Sequence, residues 1–375
     1  MIQWREGRVT AVRAEWAGAV ELDVDVYNSS HLAPDGEAPG RWVGCRALAY
    51  PALVGRPVPG ELVLLNTTAL ERGLGTGGYA MVVAIPGRPP IRQPSGPGHL
   101  VKGRYTPLQA MVLGVDEQES PHHDLLAEAD DLSGMPVVIA DLHSALPAVL
   151  AGVRAVRAGA RVAYLMTDGG ALPAWFSRTL AGLRAAGWLA ASVTVGQAFG
   201  GDLEAVTLHT GLLAARLVVG ADLAVVVQGP GNLGSGTRWG FSGVAAGEAV
   251  NAVAALGGRP VASLRVSAAD ARERHHGVSH HSLTAYGRVA LAPADVVVPV
   301  LPGAFGELVR RQAAPLGAPA GRHRLVQVEV DGLRAALEAV PVRLSTMGRD
   351  LDADEQAFLS AAAAGRHAAG LPPRS

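Results

Sequence analysis

The chain has 375 residues, 49% of them hydrophobic and 17% charged, with a formal net charge of -1. That composition supplies apolar material for two or three globular domains, and it offers neither a basic stripe for nucleic acid nor a polybasic segment for a membrane surface. The single cysteine, Cys45, leaves no internal disulfide, the opening MIQWREGRVT reads as no signal peptide, and no apolar run is long enough for a bilayer, so a cytoplasmic home is expected.

Residues 1–85 read as short strands: Arg8 to Val12, Val20 to Val26, Arg46 to Ala49, Glu61 to Leu65 and Tyr79 to Ile85. Turn signals at Pro39-Gly40, Pro59-Gly60 and Gly73 to Gly78 punctuate them, which predicts a small antiparallel barrel or sandwich. The run Gly73-Leu-Gly-Thr-Gly-Gly78 lacks a strand–loop–helix frame and reads as a hairpin turn rather than a phosphate loop. Residues 86–107, rich in proline and glycine at their start, read as a linker.

From 108 to 350 the rhythm changes. Apolar runs at Pro136 to Ala140, Arg161 to Met166, Ala190 to Val195, Asp222 to Val227 and Pro260 to Val266 alternate with helical patterns near 145–158, 174–187, 203–218 and 242–256. Further strands near 295–300 and 324–330 are followed by helices at 303–313 and 332–339. Continuous apolar strands between helices predict the α/β class, with a doubly wound, mainly parallel sheet. Residues 351–375 read as a last helix over 353–369 and a frayed tail.

In open α/β sheets ligands bind outside the carboxyl ends of the strands. The five strand ends carry, in order, Asp141-Leu-His143, Thr167-Asp168-Gly-Gly, Gly196-Gln-Ala-Phe-Gly200-Gly201-Asp202, the loop Gly229-Pro-Gly231-Asn-Leu-Gly234-Ser235-Gly236-Thr237, and Ser267 with Asp270 before a histidine stretch. Asp168 and His143 are candidate acid–base groups. Gly200, Gly201 and Asp202 are candidate ligand-binding residues, with a helix cap as the other reading of Asp202. The loop from Gly229 to Thr237 suits an anion, though it matches neither a Walker loop nor a dinucleotide fingerprint.

The stretch RERHHGVSHHS places His275, His276, His280 and His281, four of the twelve histidines, within seven residues. Gly277 argues for a loop. His276 and His280 have the four-residue spacing of zinc-binding helices, without HExxH, and Arg272 and Arg274 suit phosphate or carboxylate. A divalent metal site, an anion or proton-transfer site, and a solvated loop all fit at this point. A second cluster, Glu117 to Asp124 with His122 and His123, is open to joining Asp141 and His143 around a metal or to being a charged helix start. Of 32 basic residues Lys102 is the single lysine; with Arg104 it is a candidate clamp for an anionic substrate.

The strings HLVKGRYTPLQ, MTDGGALP, GQAFGGDLEAV, GPGNLGSGTRWGFSG and RERHHGVSHHSLTAYGR resemble a bacterial family, actinobacterial and Gram-positive, described only as a domain of unknown function of the DUF3866 type. The resemblance covers most of the chain, implies a cytoplasmic protein, and carries no assigned activity or site residue. The residues themselves lead to the expectation of an enzyme, a hydrolase or group transferase for a small anionic or phosphorylated metabolite, metal-assisted if the histidines bind a divalent ion. His280, His143 and Asp168 are its candidate catalytic groups. The alternative is a non-catalytic metabolite-binding or regulatory protein with a partner-binding β domain. No nucleic-acid or membrane partner is expected, and homo-oligomerisation is left open.

Overall fold

The computed structural model describes residues 2–27, 42–74, 77–88 and 96–371. It has two compact units, Met1–Gly96 with Gly103–Ala110, and Pro97–Lys102 with Met111–Ser375. The Pro39-Gly40 turn, Gly75-Thr76 of the glycine run, 89–95 of the linker and the tail 372–375 lie outside the described residues.

The first unit is a closed five-stranded barrel of β1 (Trp4–Trp16), β2 (Ala19–Tyr27), β3 (Trp42–Ala49), β4 (Leu62–Asn66) and β5 (Ala80–Ala84), ordered β1-β2-β3-β5-β4. β1 closes it by pairing with β2 along most of its length and with β4 over Trp4 to Arg8. Gly7 takes part in both ladders, and a Cβ there would collide with Val24 Cγ1, so the crossing needs glycine. Val9, Leu22, Val24, Val63 and Leu65 point inward at strand spacing and are fully buried. One pair departs from the antiparallel expectation: β3 and β5 run parallel, because β4 lies between β5 and β1 and the chain returns beside β3 in the same sense.

The second unit holds eight parallel strands: β6 (Pro136–Ile139), β7 (Val162–Thr167), β8 (Ala191–Thr194), β9 (Leu203–Glu204), β10 (Leu223–Gln228), β11 (Arg259–Ser263), β12 (Asp295–Val300) and β13 (Arg324–Glu329). Their order across the sheet is β9-β8-β7-β10-β6-β11-β12-β13. β6, β8 and β10 are buried along their whole length, as strands covered on both faces must be. The fold is α/β with a parallel sheet and an N-terminal barrel, as the sequence predicts.

The α-helices of five or more residues among the described residues of this unit are α1 (Leu146–Val156), α2 (Arg178–Ala185), α3 (Leu208–Leu217), α4 (Ala245–Ala255), α5 (His280–Thr284), α6 (Gly303–Ala313), α7 (Leu333–Glu338) and α8 (Glu355–Gly370). α1 carries the chain from β6 across β10 to β7, and α4 carries it from β10 across β6 to β11. These crossovers run in opposite directions, so their common right-handedness puts α1 and α4 on opposite faces. The switch between them falls at β10, β6 and β11, and the crevice beyond those carboxyl ends is where the fold favours a ligand. Glycine sets the closest helix approach: a Cβ on Gly152 of α1 would collide with Ala362 O of α8, and one on Gly365 with Val149 O.

Two elements differ from the expected ones. The helix expected from 203 starts at Leu208, capped by the Thr207 side chain, and Leu203–Glu204 instead form the edge strand β9. The turn from Gly196 to Gly201 folds the chain back beside β8, where Val193 and Thr194 pair with Leu203 and Glu204. The histidine stretch is not simply a loop. Gly277–Val278 pair with Val266–Ser267, and α5 begins at His280.

Candidate functional site

The polar groups at the switch point come from β6, β10 and β11. Asp141 follows β6 and is buried; its Oδ2 accepts no hydrogen bond and lies 3.8 Å from Arg265 Nη1 and 3.5 Å from His281 Nδ1. Gln228 ends β10. Its Nε2 donates to Asp141 O at 2.7 Å and to Asn232 Oδ1 at 3.2 Å, while its Oε1 is buried without a partner. Ser242 donates to Asn232 Oδ1 at 2.8 Å and accepts from Leu233 N–H, which ties the two ends of the long loop after β10 together. A small cavity of about 30 Å³, room for one water, lies beside Asp141, Ser144, Arg265 and Thr346.

That loop is an excursion closed by an antiparallel bridge between Gly234 and Phe241. Gly229 packs so tightly on Ala171 that a Cβ would collide with its carbonyl, and Gly231 and Gly236 take φ values of 90° and 81°. Several loop N–H groups are already used: Gly229 N donates to Thr167 O, Ser235 N to Gly240 O, and Gly240 N to Thr237 Oγ1. Ser235 and Thr237 hydroxyls lie 3.2 Å apart. The loop is therefore more a holder of its tip, Arg238 and the exposed Trp239, than a bare N–H cradle. A cavity of about 250 Å³ lies between that tip and α5, lined by Arg238, His280, Leu283, Thr284 and Arg288. Neither arginine has an ion-pair partner among the described residues. Arg274 approaches the same loop, its Nη2 lying 3.9 Å from where a Gly236 Cβ would stand.

Three of the four stretch histidines converge. One ring nitrogen from each of His275, His280 and His281 lies within 4.8 Å of the other two, and this is the one such cluster of His, Cys, Asp or Glu among the described residues. His275 Nδ1 is 2.8 Å from Ser279 Oγ. His281 stacks on Phe241 with ring centroids 3.8 Å apart, and its Nδ1 is 3.2 Å from Arg265 Nη1. His280 Nε2 is buried without a partner. Burial, with Arg265 and Arg272 close by, pushes the His275 imidazolium down to about 3. Burial, with His281 and Arg274, pushes His280 to about 4. Both rings are neutral near pH 7, which suits ligation better than proton shuttling.

Other expected site residues have different occupations. His276 is exposed, rests edge-on against Phe305 at 5.7 Å, and stands apart from the cluster; the four-residue spacing with His280 was not the informative one. The turn at Gly277 (φ 74°) reverses the chain there, and Gln312 of α6 holds it through Val278 N and His276 O. Arg272 makes a two-pronged pair with Asp270 at 2.9 and 2.7 Å, which holds that carboxyl far below the usual range, so its charge is already matched. His143 is locked between Tyr164 Oη at 3.1 Å and Ser177 Oγ at 2.7 Å, and burial pushes it down to about 4. Both of its ring nitrogens are thus engaged by side chains of the fold.

Lys102 is buried. Its Nζ donates to Ala198 O at 3.0 Å and Ala205 O at 2.9 Å and lies 3.7 Å from Glu204 Oε2, so it braces the turn into β9 instead of holding substrate. Gly200 N donates to Glu204 Oε1 and Gly201 N to Thr194 Oγ1, which leaves neither for a ligand. Asp202 caps no helix: it accepts from Ser192 N and Oγ and pairs with Arg184 at 2.9 Å. Asp168 is exposed and accepts from Gln197 N at 2.9 Å. Arg104 belongs to the first unit, exposed, its guanidinium 5.4 Å from the Tyr105 ring centre. The second histidine cluster is satisfied locally, with Glu117 accepting from Gly114 N and His99 N and His123 Nδ1 2.7 Å from Asp116 O.

A larger cavity of about 370 Å³ lies near the start of β6 and β11, lined by Arg157, Arg216, Asp222 and Arg259 among others. Three of its charged residues are held within the fold: Arg157 pairs with Asp222, Asp222 accepts from Arg161 N, and Arg259 donates to Gly134 O. It is at the amino end of the strands, away from the switch-point crevice.

Sequence reasoning missed Arg238, Arg288 and Arg265, and it set Gln228 at its strand end without giving it a role. A signal for one of them was present: His280, Thr284 and Arg288 recur every four residues, the spacing of one helical face. The site thus defines an α/β protein with an imidazole cluster and unmatched guanidinium groups at its topological switch point. The chain belongs to the family described as Protein of unknown function (DUF3866), whose model matches residues 46–365. No curated protein and no solved structure matches it. Among the described residues no helix is long and apolar enough to cross a membrane.

Proposed function

We propose that the chain is an enzyme, a hydrolase or group transferase acting on a small anionic or phosphorylated metabolite in the cavity between the glycine-rich loop and α5. The observation that carries this reading is the lining of that cavity: Arg238 and Arg288 face His280, and no carboxylate is among the lining residues. Two guanidinium groups without counter-ions at one cavity favour an oxyanion, because each can offer a charge-assisted pair of hydrogen bonds. A cytoplasmic location accords with a metabolite substrate and the single free thiol of Cys45.

The test is a thermal-shift and turnover screen of phosphorylated and carboxylated metabolites, with inorganic phosphate as the simplest probe. A ligand that binds the native state raises the unfolding temperature by mass action. Arg238→Ala and Arg288→Ala should each weaken the best anion about 10- to 100-fold, the worth of a hydrogen bond to a charged group. Their stability without ligand should stay within about 0.5 kcal/mol of the parent, as at other exposed positions. Anion binding that neither substitution weakens would put the site elsewhere. Specific binding without turnover would favour a metabolite sensor.

A further inference from the structure

We propose that His275, His280 and His281 form a three-histidine site for a divalent transition metal, with zinc the best match, and that Asp141 is its positioning carboxylate. The inference stands on the imidazole geometry and does not rest on the anion reading.

The local chain geometry builds the cluster. Val266–Ser267 and Gly277–Val278 pair and close the intervening loop, which brings His275 back to the start of α5. Ser279 then does two things: its hydroxyl accepts from His281 N–H as the helix cap, and it lies 2.8 Å from His275 Nδ1. His280 and His281 open the helix, with ring centroids 4.5 Å apart, and each lies 5.0 Å from the ring of His275. Phe241, parallel to His281, fixes that ring's plane.

The outer nitrogens decide which atoms remain for an ion. Ser279 engages Nδ1 of His275, so Nε2 is left over. In His281, Nδ1 faces both Arg265 and Asp141. Arginine has only donors, so a bond from Arg265 would leave the proton on Nε2 and block that nitrogen. A bond from Nδ1–H to Asp141 Oδ2 would free Nε2, and Asp141 Oδ2 is a buried atom without a hydrogen-bond partner. His280 Nε2 is buried and unpartnered as well. One ion therefore accounts for both orphans: it accepts the lone pair of His280, and it selects the His281 tautomer that donates to Asp141. Carboxylate–histidine–metal relays of this kind orient ligands and raise their basicity.

The donor set points to the ion. Three imidazoles without thiolate suit zinc and its neighbours, whereas magnesium and calcium require oxygen. Three protein ligands also leave a fourth tetrahedral position, as in catalytic rather than structural zinc sites. Two of the positive neighbours are matched, Arg272 by Asp270 and Arg265 by Asp141 at 3.8 Å; Arg274, Arg238 and Arg288 near His280 have no ion-pair partner among the described residues, and an anionic fourth ligand on the ion would offset them. Asp141 thus serves both the arginine and the imidazole.

The experiment uses the full, untagged chain, stripped with a chelator and dialysed against zinc or cobalt. The expected result is about one ion per chain by elemental analysis, with a visible tetrahedral absorption for cobalt. Magnesium and calcium in excess should not displace it. His280→Ala and His275→Ala should abolish the cobalt band while circular dichroism shows an unchanged fold. Asp141→Asn should keep the site but weaken zinc about 10- to 100-fold, the usual loss for a second-layer partner. No retained ion in the repleted parent chain overturns the proposal. Equal loss of metal in His276→Ala and His280→Ala overturns this ligand set. Phosphate binding by the Arg238 and Arg288 variants is measured on metal-free protein, so either reading can fail without the other.

Discussion

The carboxyl edge of the sheet has two halves with similar residues and opposite accounts. Beyond β7 and β8, the polar groups are satisfied by the fold: Lys102 by two carbonyls and Glu204, Asp202 by Ser192 and Arg184, Gly200 and Gly201 by side-chain oxygens. Beyond β10, β6 and β11, three buried atoms have no hydrogen-bond partner: Gln228 Oε1, Asp141 Oδ2 and His280 Nε2. Buried polar groups are nearly always paired, and an orphan costs about 1–3 kcal/mol. The clustering of orphans on one half is the strongest mark of a site. Residue type at a strand end says little until its hydrogen bonds are counted.

The largest expected effect tests the satisfied half. Lys102→Ala should destabilise the chain by about 3–5 kcal/mol, because it leaves a buried carboxylate without its cation. Burial already pushes Glu204 up and Lys102 down, and their mutual attraction opposes both shifts. Lys102→Arg should also destabilise, since a planar guanidinium does not reproduce a compact ammonium between two carbonyls. Denaturant unfolding measures both. A silent Lys102→Ala that weakened anion binding would erase the distinction between the halves.

How far the sequence alone reaches follows the same division. The parallel strands were legible because runs such as Leu223 to Gln228 are continuous and apolar, and a strand buried on both faces needs that pattern. The topological edge was legible too, since it follows from the strand–helix alternation. Edge strand β9 was not: two residues carry no periodicity, and only pairing with β8 reveals them. Nor was the fate of individual polar groups. Arg272 and Arg274 look alike in sequence, yet Asp270 neutralises only the first. His275 and His276 are adjacent, and which one joins the cluster depends on the turn at Gly277 and the hydroxyl of Ser279.

A mid-sized effect concerns His143. Its folded pKa of about 4 lies below the usual value for an unfolded chain, about 6.5, so the native state resists protonation. The contribution to stability is complete above pH 6.5 and is lost as pH falls toward 4, because only the unfolded chain takes up the proton in that window. It amounts to roughly 3 kcal/mol at most. His143→Gln keeps a polar group for Ser177 and Tyr164 and should remove this part of the pH dependence. Taking the difference between parent and variant cancels the other histidines. An unchanged slope in His143→Gln, together with lost turnover, would make His143 a functional group and not a fixed part of the fold.

The smallest expected effect carries the sharpest discrimination. His276 and His280 have the spacing of a zinc helix, but His276 precedes the turn at Gly277, and its exposed side chain rests edge-on against the Phe305 ring. Its backbone carbonyl, which accepts from Gln312, survives truncation. His276→Ala should therefore change stability by no more than about 0.5 kcal/mol, as at an ordinary surface position. Anion affinity should be unchanged. His275→Ala, one residue earlier, removes a buried ring held by Ser279 and must be felt. Two neighbouring and identical side chains with unequal effects would show that the fold, not the density of histidine in the sequence, selects the site. Equal effects would mean that the stretch acts as a diffuse imidazole-rich surface and that the convergence of His275, His280 and His281 has no functional weight.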